Sequence, residues 1–255
     1  MSVKGLLGLF MFMGASLARD VPSNVQAFYD ELRSESKCSS TLATGFYSSY
    51  DGDNSFSYCG DHLEDSRIIY IQGSNGALAN MDIDCDGTQG SAADDGRCGN
   101  SGDTQSITSF ADTVKGYGEG VDDLDANIHP YVVFGNVGSK PGYTSFDPQK
   151  YGIEPLSVIA VVCNNKVIYG VWGDENGDDG EKSVVGEASI SLATACFGES
   201  MTGDNGHDQD DVLYIAFTGS DAVPGKNANW AAENYSEFES SIQDLGDKLI
   251  QRIGS

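Results

Sequence analysis

Two apolar runs, Leu156–Asn164 and Lys166–Trp172, meet at the dipeptide Asn164-Asn165 and constrain the chain more than any other stretch. Both are rich in β-branched residues, and asparagine tolerates the left-handed backbone of a tight turn, so the pair reads as a β-hairpin. Shorter runs of the same kind, Ser55–Cys59, Arg67–Gln72, Tyr131–Asn136 and Val212–Thr218, lie between stretches of Gly, Asn and Asp. Helical spacing is confined to the ends and one short piece. A helix is expected from Ser23, with Ser23 and Gln26 as a capping box, to about Ser34, a second near Ser191, and a C-terminal helix over about 231–253. The expected fold is therefore mainly β: a single-domain β-barrel with a few peripheral helices. At 255 residues the chain can bury one good core, and no composition shift asks for two.

Fourteen basic residues face 39 acidic ones, a formal charge of −25. A polyanion of this kind repels nucleic acid and attracts cationic ligands. Residues 1–18 carry Lys4, an apolar run from Leu6 to Met13 and the small pair Ser16/Ala18, the pattern of a secretory signal. Its removal takes one lysine and no acid, so −25 becomes −26. The run is too short to span a bilayer and nothing later is apolar enough, so no membrane association is expected. The mature domain is then 19–255, secreted and monomeric. Six cysteines in a secreted chain imply three disulfides. Fifteen connectivities are possible, and pairing of sequence neighbours (38–59, 85–98, 163–196) is the expectation adopted. Cys85 and Cys98 would tie down the long irregular stretch from Gly87 to about Asp103.

The chemistry concentrates between Tyr169 and Ala193. Asp174 closes the second run of the hairpin and Glu187 opens the next ordered segment, with the acidic, glycine-broken DENGDDGEK between them. Strand alternation puts Ile168, Gly170, Trp172 and Asp174 on one face. An indole beside a carboxylate suits sugar binding next to an acid or base, and paired carboxylates are what glycoside hydrolysis requires. Spacing alone equally allows Trp172 as core and the acids as a solvated loop.

The segments VWGD and GEASISLA resemble the corresponding region of the fungal chitosanases of glycoside hydrolase family 75. So, in the same order, do NMDIDCDG (80–87), LDANIHPYVVFGN (124–136), PLSVIAVVC (155–163) and GHDQDDVLYIAFTGSDAVPG (206–225). The resemblance implies an endo-acting hydrolase of β-1,4 bonds in chitosan, a cationic polysaccharide. It also implies an inverting mechanism without cofactor or metal, with Asp174 and Glu187 as the catalytic pair. Glu187 is taken as acid and Asp174 as base. The resemblance further suggests a double-psi-type barrel, as in endoglucanases and expansins. The loop between the two acids is longer than the family pattern. Trp172, Asp125 and His129 are carried forward as substrate-binding residues, although His129 reads equally as a structural hydrogen-bonding group.

Other motifs fall short. Asp82, Asp84 and Asp86 with Gly87 match half an EF-hand loop, but Ala93 stands where a bidentate glutamate is needed. A looser calcium site shared with Asp94 or Asp95 is the alternative, and with it a non-catalytic acidic carbohydrate-binding protein. No H-E-x-x-H, G-x-S-x-G or P-loop occurs, which removes zinc, serine-hydrolase and nucleotide chemistry.

Overall fold

In a computed structural model the chain is described over residues 19–99, 101–102, 104–178 and 180–254, so the expected signal segment lies outside the described residues. Its strands are β1 (Arg19–Asp20), β2 (Thr41–Phe46), β3 (Phe56–Cys59), β4 (Ile68–Gln72), β5 (Ala79–Asp84), β6 (Tyr131–Asn136), β7 (Val158–Cys163), β8 (Lys166–Asn176), β9 (Glu187–Ser189) and β10 (His207–Phe217). The helices are α1 (Ser23–Ser34), α2 (Ala111–Gly116), α3 (Ile190–Phe197) and α4 (Tyr235–Leu249).

Asn164 and Asn165 take φ of 46° and 58°, and they close the β7–β8 hairpin in unbroken register from Val158↔Val171 to Cys163↔Lys166. Positive φ at both central residues is what a type I′ turn needs and what asparagine supplies at least cost. The other pairings place β8 beside β6, β6 beside β9, β9 beside β5, β5 beside β10 and β10 beside β7, so six strands form a closed ring. Most contacts in it are antiparallel, but β6–β8 and β5–β9 are parallel. The remaining strands, β4, β3 and β2, extend the sheet from β10, and β1 pairs with β8. The mainly-β expectation holds. Strands β2, β5 and β9, which lie outside the runs expected as strands, are rich in polar or small residues and are held by their neighbours.

The core is lined by β7 and β8, whose residues are buried on both faces from Val158 to Cys163 and from Val167 to Asp174. Helix α1 adds Val25, Phe28 and Leu32. It starts at Ser23, but Pro22 is its N-cap and no side chain caps it, so the expected capping box does not form. Helix α4 begins at 235, later than expected, because Asn234 accepts the Glu237 amide at 3.1 Å and fixes the first turn there. It lies on β7 and β8, and Gly246 lets it come close: a Cβ there would stand 2.5 Å from Cγ of the Tyr169 ring. The disulfides join Cys38–Cys59, Cys85–Cys98 and Cys163–Cys196, the neighbour pairing expected.

One irregularity decides which way Asp174 faces. Val132 on β6 faces Trp172, but the next residue, Val133, faces Asp174, so β8 bulges by one residue at Gly173. An inserted residue reverses the alternation beyond it. Trp172 and Asp174 therefore point to opposite sides, not to the same face as the uniform pattern predicts. Gly173 fits the bulge because a Cβ would meet Tyr131 at 2.5 Å and Leu124 at 2.7 Å.

Candidate active site

An acidic cleft of about 760 Å³ opens where β8, β6, β9, β5 and β10 lie side by side. Among the described residues its acids are Asp82, Asp84, Asp86, Asp174, Glu175, Glu187, Asp204 and Asp208, against a single basic lining residue, Lys182. Strand order accounts for this. Asp82 and Asp84 share one face of β5, and the parallel register sets Asp82 beside Glu187 and Asp84 beside Ser189 on β9. Across the cleft, Val133 is opposite Glu187 on one side and Asp174 on the other. Asp174 and Glu187 thus sit two strand spacings apart, about 9–10 Å at Cα, with Val133 lining the cleft between them.

The environments of the two differ. Asp174 is buried, which raises its pKa, but Ser109 opposes this by donating from both its backbone amide (3.0 Å) and its hydroxyl, as does the Glu175 amide (2.8 Å). Such donors favour the carboxylate form. Glu187 keeps part of its side chain open to the cleft, yet its carboxyl is desolvated by the surrounding strands. That desolvation, followed by the charges of Asp82, Asp174 and Asp86, pushes it up to about 8, against a hydrogen bond from Asn176. Burial also lifts Glu175 to about 7 and Asp82 to about 6, and Asp84 well above the usual range. The site stores protons.

Segment 105–109 is stitched to this floor by carboxylates. Asp86 accepts the Gln105 amide at 2.6 Å, and Asp123 accepts the Thr108 amide and hydroxyl at 2.8 and 2.6 Å. These bonds place Ser109 on Asp174, a role no sequence pattern announced. Asp84, Asp86 and Asp174 each bring one oxygen within 4.8 Å of the others and could hold a cation between them. Part of their acceptor capacity is already taken, on Asp84 by the Asp86 amide at 2.7 Å. The alternating aspartates belong to a central strand and its exit, not to a calcium loop. Asp94 and Asp95 lie apart, accepting Gly96 and Arg97 within their own turn.

The three expected sugar contacts do not line the cleft. Trp172 is 0% exposed, packs edge-on against Phe110 at 4.7 Å, and donates its indole N–H to the Asp174 carbonyl at 3.0 Å. His129 is buried between Asp125, whose amide donates to Nδ1 at 2.8 Å, and the Trp230 carbonyl, which accepts from Nε2 at 3.0 Å. That arrangement fixes a neutral ring, and burial lowers its pKa. Asp125, also buried, accepts the Asn127 amide at 2.9 Å and so closes a local turn. All three are buried and bonded within the fold, and none lines the cleft.

A family model described as fungal chitosanase of glycosyl hydrolase group 75 matches residues 81–252, more than half of the chain. This chain belongs to that family. It is 47% identical to endo-chitosanase B of Aspergillus oryzae over 252 residues, covering 98% of each chain. It is 48% identical to an endo-chitosanase of Aspergillus fumigatus over 255 residues, again 98% of each. Endo-chitosanase C of Aspergillus oryzae is 33% identical over 175 residues, 68% of this chain but 38% of that protein. The matched span contains every acid of the cleft. It begins at Met81 and so leaves out the β2–β4 extension.

Proposed function

We propose that this family member is a secreted endo-chitosanase that hydrolyses β-1,4 bonds between glucosamine units by inversion. The observation that carries the reading is the placement of Asp174 and Glu187 on either side of Val133 in one cation-poor cleft. Inversion requires about 6.5–9.5 Å between the two carboxyl groups, room for one water. Glu187, held protonated to about 8, gives its proton to the leaving glycosidic oxygen. Asp174, oriented by Ser109, takes a proton from the water that attacks the anomeric carbon on the opposite face. The accumulated carboxylates attract the ammonium groups of the polymer.

The closed ring β8-β6-β9-β5-β10-β7, with its mixture of parallel and antiparallel pairs, supports a six-stranded barrel of double-psi type. Secretion is supported by the expected leader and by three disulfides. No helix among the described residues is long and apolar enough to cross a membrane. Counting new reducing ends on chitosan, chitin and cellulose tests the substrate class. Magnetic resonance of the first-formed anomer tests the mechanism: an α-anomer is expected, and a β-anomer would mean retention and a covalent intermediate. No new ends on chitosan would overturn the reading altogether.

A further inference from the structure

We propose that Tyr50 is the platform on which a glucosamine ring of the bound polymer stacks, and that Lys182 is the residue that positions it. The inference rests on the chitosanase reading and assigns part of its substrate site. A stacking platform needs an aromatic face open to the cleft, and Trp172 and Trp230 are both fully buried. The aromatic residues that line the cleft are Tyr50 and Tyr143. Tyr50 is 53% exposed and is the one aromatic among the exposed large apolar side chains of the described residues.

Its setting is built rather than incidental. The acidic loop after β8 is docked along the 47–50 segment: the Tyr47 amide donates to the Ser183 carbonyl at 3.0 Å, and the Val185 amide donates to the Tyr47 carbonyl at 2.8 Å. The Lys182 ammonium donates to the Tyr50 carbonyl and lies 4.5 Å from the centre of the Tyr47 ring. The hydroxyl end of Tyr50 abuts Gly180, where a Cβ would stand 2.5 Å from the oxygen. Lys140 in turn holds the Gly180 carbonyl at 2.7 Å, and Tyr143 donates its hydroxyl to the Gly177 carbonyl. Two lysines of a strongly acidic chain are thus committed to holding this loop and, through it, one exposed ring. The flat C–H face of a pyranose packs on such a ring, and a nearby ammonium is drawn to its π-face as well as to Asp82 and Asp208 in the same cleft.

The test is a calorimetric titration of a glucosamine hexamer into the Glu187→Gln protein, which isolates binding from turnover, with wild-type hydrolysis of chitosan measured alongside. Adding Tyr50→Ala should weaken binding about tenfold, the effect of one lost aromatic contact. Tyr50→Trp should keep the affinity. Lys182→Met should weaken it by a smaller factor and Lys182→Arg should restore it, with no change in the unfolding midpoint. Unchanged affinity in Tyr50→Ala, or equal losses in Tyr50→Ala and Tyr50→Trp, overturns the platform while leaving the chitosanase reading intact. A wild-type protein that neither binds the hexamer nor cleaves chitosan overturns both.

Discussion

Buried carboxylates near the two ends of strand β8 are treated in opposite ways. Close to its start, Glu239 of α4 is fully buried and receives Arg19 in a two-pronged pair at 2.6 and 3.1 Å. The guanidinium also lies 4.8 Å from the centre of the Tyr169 ring. At its end, Asp174, Asp84 and Glu187 belong to none of the ion pairs of the described residues. Glu239 is raised by burial against the opposing pull of Arg19, whereas Glu187 is raised by burial and raised further by its acidic neighbours. A paired carboxylate is an anion that docks a helix. An unpaired one keeps its proton, and a proton held near neutrality can be transferred.

The comparison breaks first at the cleft. Glu187→Gln and Asp174→Asn should each cut chitosan turnover by about 10²–10⁴-fold, the usual worth of acid–base assistance. The unfolding midpoint in urea of Glu187→Gln should hold, since it replaces a protonated carboxyl by a neutral amide of the same shape. Near-normal turnover in either would move the chemistry to another of the cleft acids.

At the paired end the expectation reverses. Arg19→Met should leave turnover intact and lower stability by roughly 3–5 kcal/mol, because Glu239 is then buried without a partner. Urea unfolding would read it, and a loss below about 1 kcal/mol would mean that the pair behaves as a surface ion pair. Opening Cys163–Cys196 by double serine substitution should cost about 2–4 kcal/mol.

The pH dependence of stability separates the two regions more finely. Glu187 (about 8), Glu175 (about 7) and Asp82 (about 6) bind protons in the fold that the unfolded chain has already released. Their contribution is complete below the unfolded carboxylate range, about pH 4, and is lost as pH rises through the folded values. His129, with its pKa lowered, works the other way, but only below its unfolded value of about 6.5. Stability should therefore fall between about pH 6.5 and 8, and Glu187→Gln should flatten the upper part of that fall. A flat profile in the wild type would mean that Glu187 is ionised at neutrality. The smallest effect expected is a few-fold weakening of chitosan binding between low and physiological salt, where exposed charges are screened over about 8–10 Å. A neutral oligosaccharide should show almost none.

The β7–β8 hairpin, the long irregular stretch tied by Cys85–Cys98 and the C-terminal helix were legible because each depends on local chemistry: β-branched runs, asparagine in a turn, helical spacing. Asp174 and Glu187 stood out in the sequence as acids flanking a polar loop, but their proposed pairing in catalysis came only from the resemblance. Trp172 was misplaced because period-two alternation assumes an unbroken strand, and the bulge at Gly173 leaves no trace that distinguishes it from the glycines of the neighbouring loop. Asp82, Asp84 and Asp86 showed their alternation plainly, but alternation of acids is common to a calcium loop and a cleft-facing strand.

What the sequence determined by itself was therefore the β-rich class, the acidic surface and the segments that would pair locally, all properties of neighbouring residues. What only the tertiary structure decided was which acids meet. Strand β9 enters the sheet between β5 and β6, with a parallel partner on one side and an antiparallel one on the other. That non-local insertion brings residues 82, 133, 174 and 187 to one cleft and desolvates its carboxyl groups. Desolvation and mutual repulsion depend on distance in space, so no reading along the chain contains them.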